Sequence, residues 1–339
     1  MIIVNSPGSW SYVYNPLRHA EWHGATPTDL IFPFFLFIVG VSISLSFVKI
    51  KNNFNKIIYL KIIRRSVIIF ALGIFLSLFP DFDFYNLRFV GVLQRIALVY
   101  LICSILYLNF NLVFLVITSF LILIFYWILM MFVPFGGFDA GTIEPGINFA
   151  AWVDSFIVPG RLYMTTWDPE GFFSTIPAIV TCISGIITGA IIKYNSNKII
   201  NLILLGSLLL TIGLVWDIIF PINKHIWTSS YVMFSSGIAM IILAISIFII
   251  DYKSYDFELK FSIAFGSNAI TAYVLHGILW KLFQIKLIDN MGIQELWMDI
   301  GIKFGLYTKL TSLTWAIFYT LFIYIIIYQL YKRKIFLKV

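Results

Sequence analysis

Charge is what this chain has least of. Only 12% of its 339 residues are Asp, Glu, Lys or Arg, against roughly a quarter in an ordinary soluble domain, so a water-solvated globule is excluded. Cysteine is scarce too. Cys103 and Cys182 both fall inside apolar runs, which leaves neither a disulfide framework nor a Cys-based zinc site to argue from. A glycine-rich phosphate loop, a Gly-x-Ser-x-Gly elbow and a Cys nucleophile motif are missing as well, so any chemistry has to use His, carboxylates and amides. No internal repeat or low-complexity tract is visible, which lends no support to a transporter built from obvious inverted repeats.

What is present in excess is apolar surface. Hydrophobic residues make up 60% of the chain, with 34 Phe, 18 Tyr and 10 Trp, and the mean hydropathy is +0.95. A bilayer solvates such a surface without penalty. The 23 basic against 16 acidic residues would suggest nucleic acid in a soluble chain. Here they sit between apolar runs, where the positive-inside bias accounts for them and no nucleic-acid partner is expected. Nine runs are long enough to cross about 30 Å of hydrocarbon: 30–48, 62–79, 90–108, 112–133, 172–192, 199–220, 231–250, 261–281 and 311–330. Lipid cannot satisfy bare backbone groups, and the alternation of barrel strands is absent. The expected fold class is therefore an all-α integral membrane protein, a polytopic bundle of about nine transmembrane helices.

Loop charge sets the expected orientation. The stretch 49–65 holds Lys49, Lys51, Lys56, Lys61, Arg64 and Arg65 and no acid, with 49–61 as the basic loop, and the tail adds Lys332, Arg333, Lys334 and Lys338. Both belong in the cytoplasm, which puts the N-terminal segment outside after nine crossings. The loop 134–171, with five acids, Arg161 and ten Pro or Gly, then also lies outside. Within it, 147–158 reads as a short amphipathic helix for the interface.

Polar residues are most informative where they are costly. His19 and His23 are four apart and would share a helix face. A zincin needs Glu directly after the first His, and Ala20 stands there, so no metal is expected. An aromatic belt with Trp10 and Trp22 or acid–base work remain as readings. Thr26-Pro27-Thr28-Asp29 looks like a helix start, with Thr26 or Asp29 satisfying end donors and the helix holding His19 above its end. Asp168-Pro169-Glu170-Gly171 reads the same way, with Asp168 as N-cap, or as two carboxylates for the ammonium of an amino sugar. Gln94 and Arg95 lie about one and a half turns into the third run, where a charge either faces a wet cavity or snorkels outward. Asn268, Ala272 and His276 form an i, i+4, i+8 stripe suited to helix packing or to a lined passage. His19, Arg95, Asp168 and His276 would then stand at one level near the outer face, and that convergence marks a site.

These residues belong to ordered blocks. Val4-Asn5-Ser6-Pro7-Gly8-Ser9-Trp10, His19-Ala20-Glu21-Trp22-His23-Gly24, the run Thr28-Asp29-Leu30 through Ile43, Gly91-Val92-Leu93-Gln94-Arg95-Ile96, Asp168-Pro169-Glu170-Gly171, Asn223 through Tyr231 and Gly266-Ser267-Asn268-Ala269 through His276 closely resemble bacterial membrane acyltransferases related to heparan-α-glucosaminide N-acetyltransferase. The resemblance covers essentially the whole chain. It implies a single transmembrane acyltransferase domain over 1–339 that takes acetyl from cytoplasmic acetyl-CoA and delivers it to the amino group of an extracytoplasmic glucosamine-type sugar. His19 matches the family's catalytic histidine, as general base or acetyl carrier, and Asn5 its neighbouring Asn. Asp168, Glu170, Arg95, Gln94, His276, Asn268 and Asp29 are the expected substrate-binding residues. Arg64 and Arg65 are expected on the phosphates of coenzyme A, although topology alone would put those charges there. The expected location is the bacterial cytoplasmic (inner) membrane, with the C-terminus cytoplasmic and a homodimer left open. Two departures stand out. The family's first helix, with its Asp-x-x-Arg-Gly-like stretch, is represented here by residues 1–4, so a complete gene is expected to have about ten helices. The acceptor is also open between peptidoglycan or chitin fragments and other cell-surface sugars. The alternative reading is a transporter of amino sugars or their acylated products.

Overall fold

A computed structural model describes residues 1–51, 55–252, 260–286 and 290–336. Thirteen helices occur among them: α1 (Ile2–Asn5), α2 (Ile31–Phe47), α3 (Lys56–Leu78), α4 (Val92–Asn109), α5 (Leu112–Phe132), α6 (Phe149–Ile157), α7 (Phe172–Tyr194), α8 (Lys198–Asp217), α9 (Ser229–Ile247), α10 (Lys260–Ser267), α11 (Ala269–Phe283), α12 (Ile293–Lys303) and α13 (Thr308–Lys332). A two-residue antiparallel ribbon, β1 (Ile143–Glu144) with β2 (Ile147–Asn148), precedes α6. The chain is an all-α polytopic membrane protein. Among the described residues, seven helices are long and apolar enough to span a bilayer, or eight if the bent pair α10–α11 counts as one. The nine expected runs exceed that number for a physical reason. The expected 62–79 run does form a helix, α3, but it begins at Lys56 and carries Lys61, Arg64 and Arg65 as well.

Local chemistry starts several of these helices where they start. Asn55, Asn111, Asn148 and Thr228 each turn a side-chain oxygen onto the first free N–H groups of α3, α5, α6 and α9, the usual means of satisfying a helix N-terminus. The expected single run 261–281 is instead two helices meeting at 85°, with Asn268 at the break.

The centre of the bundle is α7, most of whose side chains are buried. Glycine lets α2 lie directly against it: a Cβ at Gly40 would sit 1.9 Å from the Cys182 carbonyl oxygen, and one at Gly185 1.9 Å from that of Phe37. Between helices in lipid, such close backbone approach replaces the hydrophobic drive that water would supply. Around α2 and α7, the side chains of α3, α4, α5 and α9 complete one core. A second core joins α10, α11 and α13 through Ala264, Ala272, Trp315, Tyr319 and Ile323, with Ile2 of α1 packed on it. The seam between α2–α4 and this second layer holds the cavities described below.

Candidate active site

The segment 15–30 folds back over the start of α2. Pro27–Leu30 forms a 3₁₀ turn in which Thr26 and Asp29 cap each other reciprocally, as the sequence suggested. Asp29 does more than cap. Its Oδ2 accepts from Ala20 N (2.9 Å) and Thr26 N (3.0 Å), and its Oδ1 lies 2.6 Å from His19 Nδ1. The carboxylate is buried while His19 is about one-third exposed. A carboxylate only accepts, so His19 Nδ1 carries the proton and donates it, and Nε2 of the neutral ring keeps its lone pair.

The loop between α8 and α9 docks onto this pair. Buried Asn223 accepts from His225 N (2.8 Å) and Ile226 N (3.2 Å), while Gly24 N donates to Ile222 O (2.7 Å). The loop thereby carries Lys224 to 3.3 Å from Asp29 Oδ1 and 2.9 Å from His19 Nδ1. A protonated Nδ1 cannot accept, so the Lys224 ammonium donates to Asp29. Burial pulls the Lys224 pKa down; Asp29 and Glu170 oppose that shift, and Arg95 adds to it. Beside it, His225 stacks on Trp22 at 5.3 Å with Trp167 against both rings. His225 Nε2 donates to Ala20 O (3.3 Å), and its Nδ1 is buried with no partner among the described residues.

Arg95 does not snorkel. It is fully buried, donating to Gly171 O (3.0 Å), Thr175 Oγ1 (3.2 Å) and Ser174 Oγ, with its guanidinium 5.0 Å from the Trp227 ring. Asp168 is not an N-cap: α7 begins at Phe172 after Gly171, and Asp154 of α6 meets Phe173 N at 2.9 Å. Burial pushes the Asp154 carboxyl up to about 6, with Phe173 N and Arg95 opposing. Asp168 instead accepts Arg88 Nε (2.7 Å) and Nη2 (2.6 Å), Tyr163 N (3.0 Å) and Glu170 N (2.9 Å). Glu170 takes the same guanidinium at 2.6 Å. Burial works against the Arg88 charge, and the two carboxylates outweigh it and hold its pKa up. The cation those acids hold is thus one of the protein's own.

The other expected residues divide between two places. Asn268 and Arg65 come together on a cavity of about 480 Å³, also lined by Phe35, Ser46, Phe47 and Tyr100, where α2, α3 and α4 face the α10–α11 break. Arg64 and Arg65 are both exposed, but Arg65 lines it, with its guanidinium 4.9 Å from the Tyr100 ring, and Arg64 is absent from its lining. This cavity follows α2 from Phe35 to Phe47, about 18 Å of helix at 1.5 Å per residue, and starts roughly 9 Å along the chain from Asp29. His276 keeps to the second layer, with Ser6 Oγ 3.3 Å from its Nδ1 and Tyr319 OH donating to its carbonyl. No hydrogen bond joins Asn5 to His19 among the described residues; α1 packs on α13. Of the basic loop 49–61, residues 52–54 lie outside the described residues, as does Lys338. No cluster of three metal-ligating side chains is found among the described residues.

Lys224 and Arg88 escaped the sequence reading. Lys224 stood inside a quoted block, next to one of only four histidines, which was the available signal. Arg88 is 80 residues from Asp168 and gave none.

No family model matches the chain. It is 29% identical, over an alignment of 403 positions, to the heparan-alpha-glucosaminide N-acetyltransferases of Homo sapiens and Mus musculus. That alignment covers all of the chain and 58% of each relative. The chain is thus related from end to end to named acyltransferases whose length it spans by somewhat more than half.

Proposed function

We propose that the chain is a transmembrane N-acetyltransferase that takes acetyl from acetyl-CoA at the Arg65 end of the bundle and transfers it to the amino group of a glucosamine-type sugar at the His19 end. The observation that supports this reading is the pairing of His19 with buried Asp29 at the start of α2, the helix whose residues Phe35 to Phe47 line a cavity running toward the opposite end. Basic residues at 49–65 and in the tail favour a cytoplasmic Arg65 end and an extracytoplasmic His19 end, in a bacterial cytoplasmic membrane.

His19 is the general base in this mechanism. Asp29 fixes its tautomer and stabilises the imidazolium that forms, the division of labour known from His–carboxylate pairs elsewhere. The deprotonated sugar amine attacks the thioester carbonyl and forms the C–N bond. His19 Nε2 takes the amine proton, and the C–S bond breaks to release the coenzyme A thiolate, which regains a proton. Asn5 is assigned, from the resemblance, as a donor to the developing oxyanion. Asp168 is saturated by four donors, so Glu170, Gln94 and the Arg95 region are left to meet the sugar. His276 shapes the second layer beside α1. In this reading the Arg65 guanidinium meets a phosphate of coenzyme A, and the apolar cavity wall and Asn268 lie along the pantetheine arm.

The test is a library of amino sugars presented to protein in liposomes with isotopically labelled acetyl-CoA, read by mass spectrometry. Labelled N-acetyl sugar is the expected product. Sugar flux without label would replace the enzyme by a transporter.

A further inference from the structure

The segment that follows α13 is tied to the wall of the Arg65 cavity. α13 ends at Lys332, and the chain then turns back on itself. Lys334 N donates to Tyr331 O and Ile335 N to Leu330 O, both at 2.9 Å, with Lys334 at a φ of +55°. These are the two bonds of a Schellman ending, a turn that usually puts glycine in the left-handed position Lys334 fills. The turn carries the Ile335 carbonyl to 3.3 Å from Asn268 Nδ2, which donates to it across 67 residues.

Asn268 is placed so that this bond bears on the cavity. It stands at the 85° break between α10 and α11 and lines the cavity together with Gly266, Ser267 and Arg65. Asparagine ahead of a helix commonly caps it, yet the Asn268 side chain does not cap α11. Its buried amide is turned to Ile335 instead. The body of α10 is held to α13 through Phe261 and Phe265, whose rings lie 4.7 and 5.9 Å from that of Tyr324. The end of α10 is more open, since a Cβ at Gly266 would meet nothing within 4 Å. Close packing therefore does not fix the break at that point, and the bond from Asn268 to Ile335 does.

We propose that the segment 333–336 is a positioning element for the acetyl donor: by holding Asn268 it fixes the α10–α11 break, and with it the wall of the cavity that takes coenzyme A. The proposal rests on the acetyltransferase reading and adds to it a segment that does not itself line the cavity.

Lys334 allows a test that leaves every cavity residue in place. Lys334→Gly and Lys334→Val lose the same charge, but glycine favours the left-handed turn and a β-branched residue resists it. The full chain is placed in nanodiscs of zwitterionic lipid and coenzyme A binding is measured by calorimetry. Lys334→Gly should bind within about twofold of the unmodified protein and Lys334→Val about fivefold more weakly, the scale of one hydrogen bond. The KM for acetyl-CoA should rise by the same factor in Lys334→Val with kcat unchanged. Asn268→Ala should also weaken binding, and adding Lys334→Val to it should cost less than about twofold more, because both act through one bond. Equal affinities in the glycine and valine variants, whether both match the unmodified protein or both fall with the lost charge, overturn the proposal, as do fully additive losses in the double variant. Failure of coenzyme A to bind the unmodified protein would sink the acetyltransferase reading and the proposal together. A glycine–valine difference in binding without any acetyl transfer to sugar would sink that reading alone.

Discussion

The two ends of the seam between α2–α4 and α11 are walled by different chemistry. Toward Phe47 the cavity is largely apolar, with Phe35, Ile43 and Tyr100, small hydroxyls at Ser42 and Ser46, and Arg65 as its cation. Toward His19 a second cavity is lined by Arg88, Arg161, Lys281, Asn86 and Gln94. A long flexible arm with a charged end matches the first, and a compact polar ring matches the second. The proposed two-substrate transfer would use such an asymmetry, because in it donor and acceptor arrive from different sides of the bilayer.

The sharpest way to break this comparison is at the base itself. His19→Ala should lower turnover by about 10² to 10⁴-fold while leaving coenzyme A binding at the other end intact. Near-normal turnover in a folded mutant would remove His19 from the mechanism. Asp29→Asn should cost about 10²-fold by loosening the tautomer and orientation of the ring. Lys224→Met removes a partner of the carboxylate and should cost less, about tenfold. If Lys224→Met proved worse than Asp29→Asn, the lysine and not the carboxylate would be the group that sets up His19.

At the opposite end the comparison sharpens into a difference between neighbours. Arg65 lines the cavity and Arg64 does not. Arg65→Gln should therefore weaken coenzyme A about tenfold and flatten its salt dependence, with Arg64→Gln near unchanged. Equal effects in the two variants would make the cluster a topology signal alone.

The fold class was legible because long apolar runs leave few alternatives. His19, Asp29 and Arg95 stood out because polar groups beside or inside such runs are costly, and the structure shows each of them hydrogen-bonded. The pairings were less so. Asp29 was readable as a cap, since capping is local, whereas its bond to His19 depends on how 15–30 folds back. Lys224 reaches His19 across 205 residues and Arg88 reaches Asp168 across 80, separations at which spacing carries no information. The bend at Asn268 was missed because the apolar stretches on either side of Gly266-Ser267-Asn268 together have the length of one span. Asp168 was misplaced at the start of α7 because an Asp-Pro pair imitates a cap, while the true partner of that helix end, Asp154, comes from α6.

Asp154 also supplies the smallest effect, one that separates the packing of the His19 end from its chemistry. Burial raises its pKa from 3.8 to about 6 in the folded chain, so between about pH 4 and 6 the folded state binds more protons than the unfolded state. The contribution of Asp154 to stability is then greatest below pH 4, falls as pH rises through 6, and levels off above it. Thermal unfolding in detergent should show this decline in the unmodified protein. The difference curve against Asp154→Asn should isolate it, because asparagine keeps an oxygen for Phe173 N and cannot ionise. Parallel curves for the two proteins would mean that Asp154 ionises freely, and the docking of α6 on α7 would need another explanation. Arg95 and Asp168 lie within electrostatic reach of Asp154. Loss of this segment of the curve should therefore shift the pH dependence of acetyl transfer by at most a few-fold, far less than any change at His19.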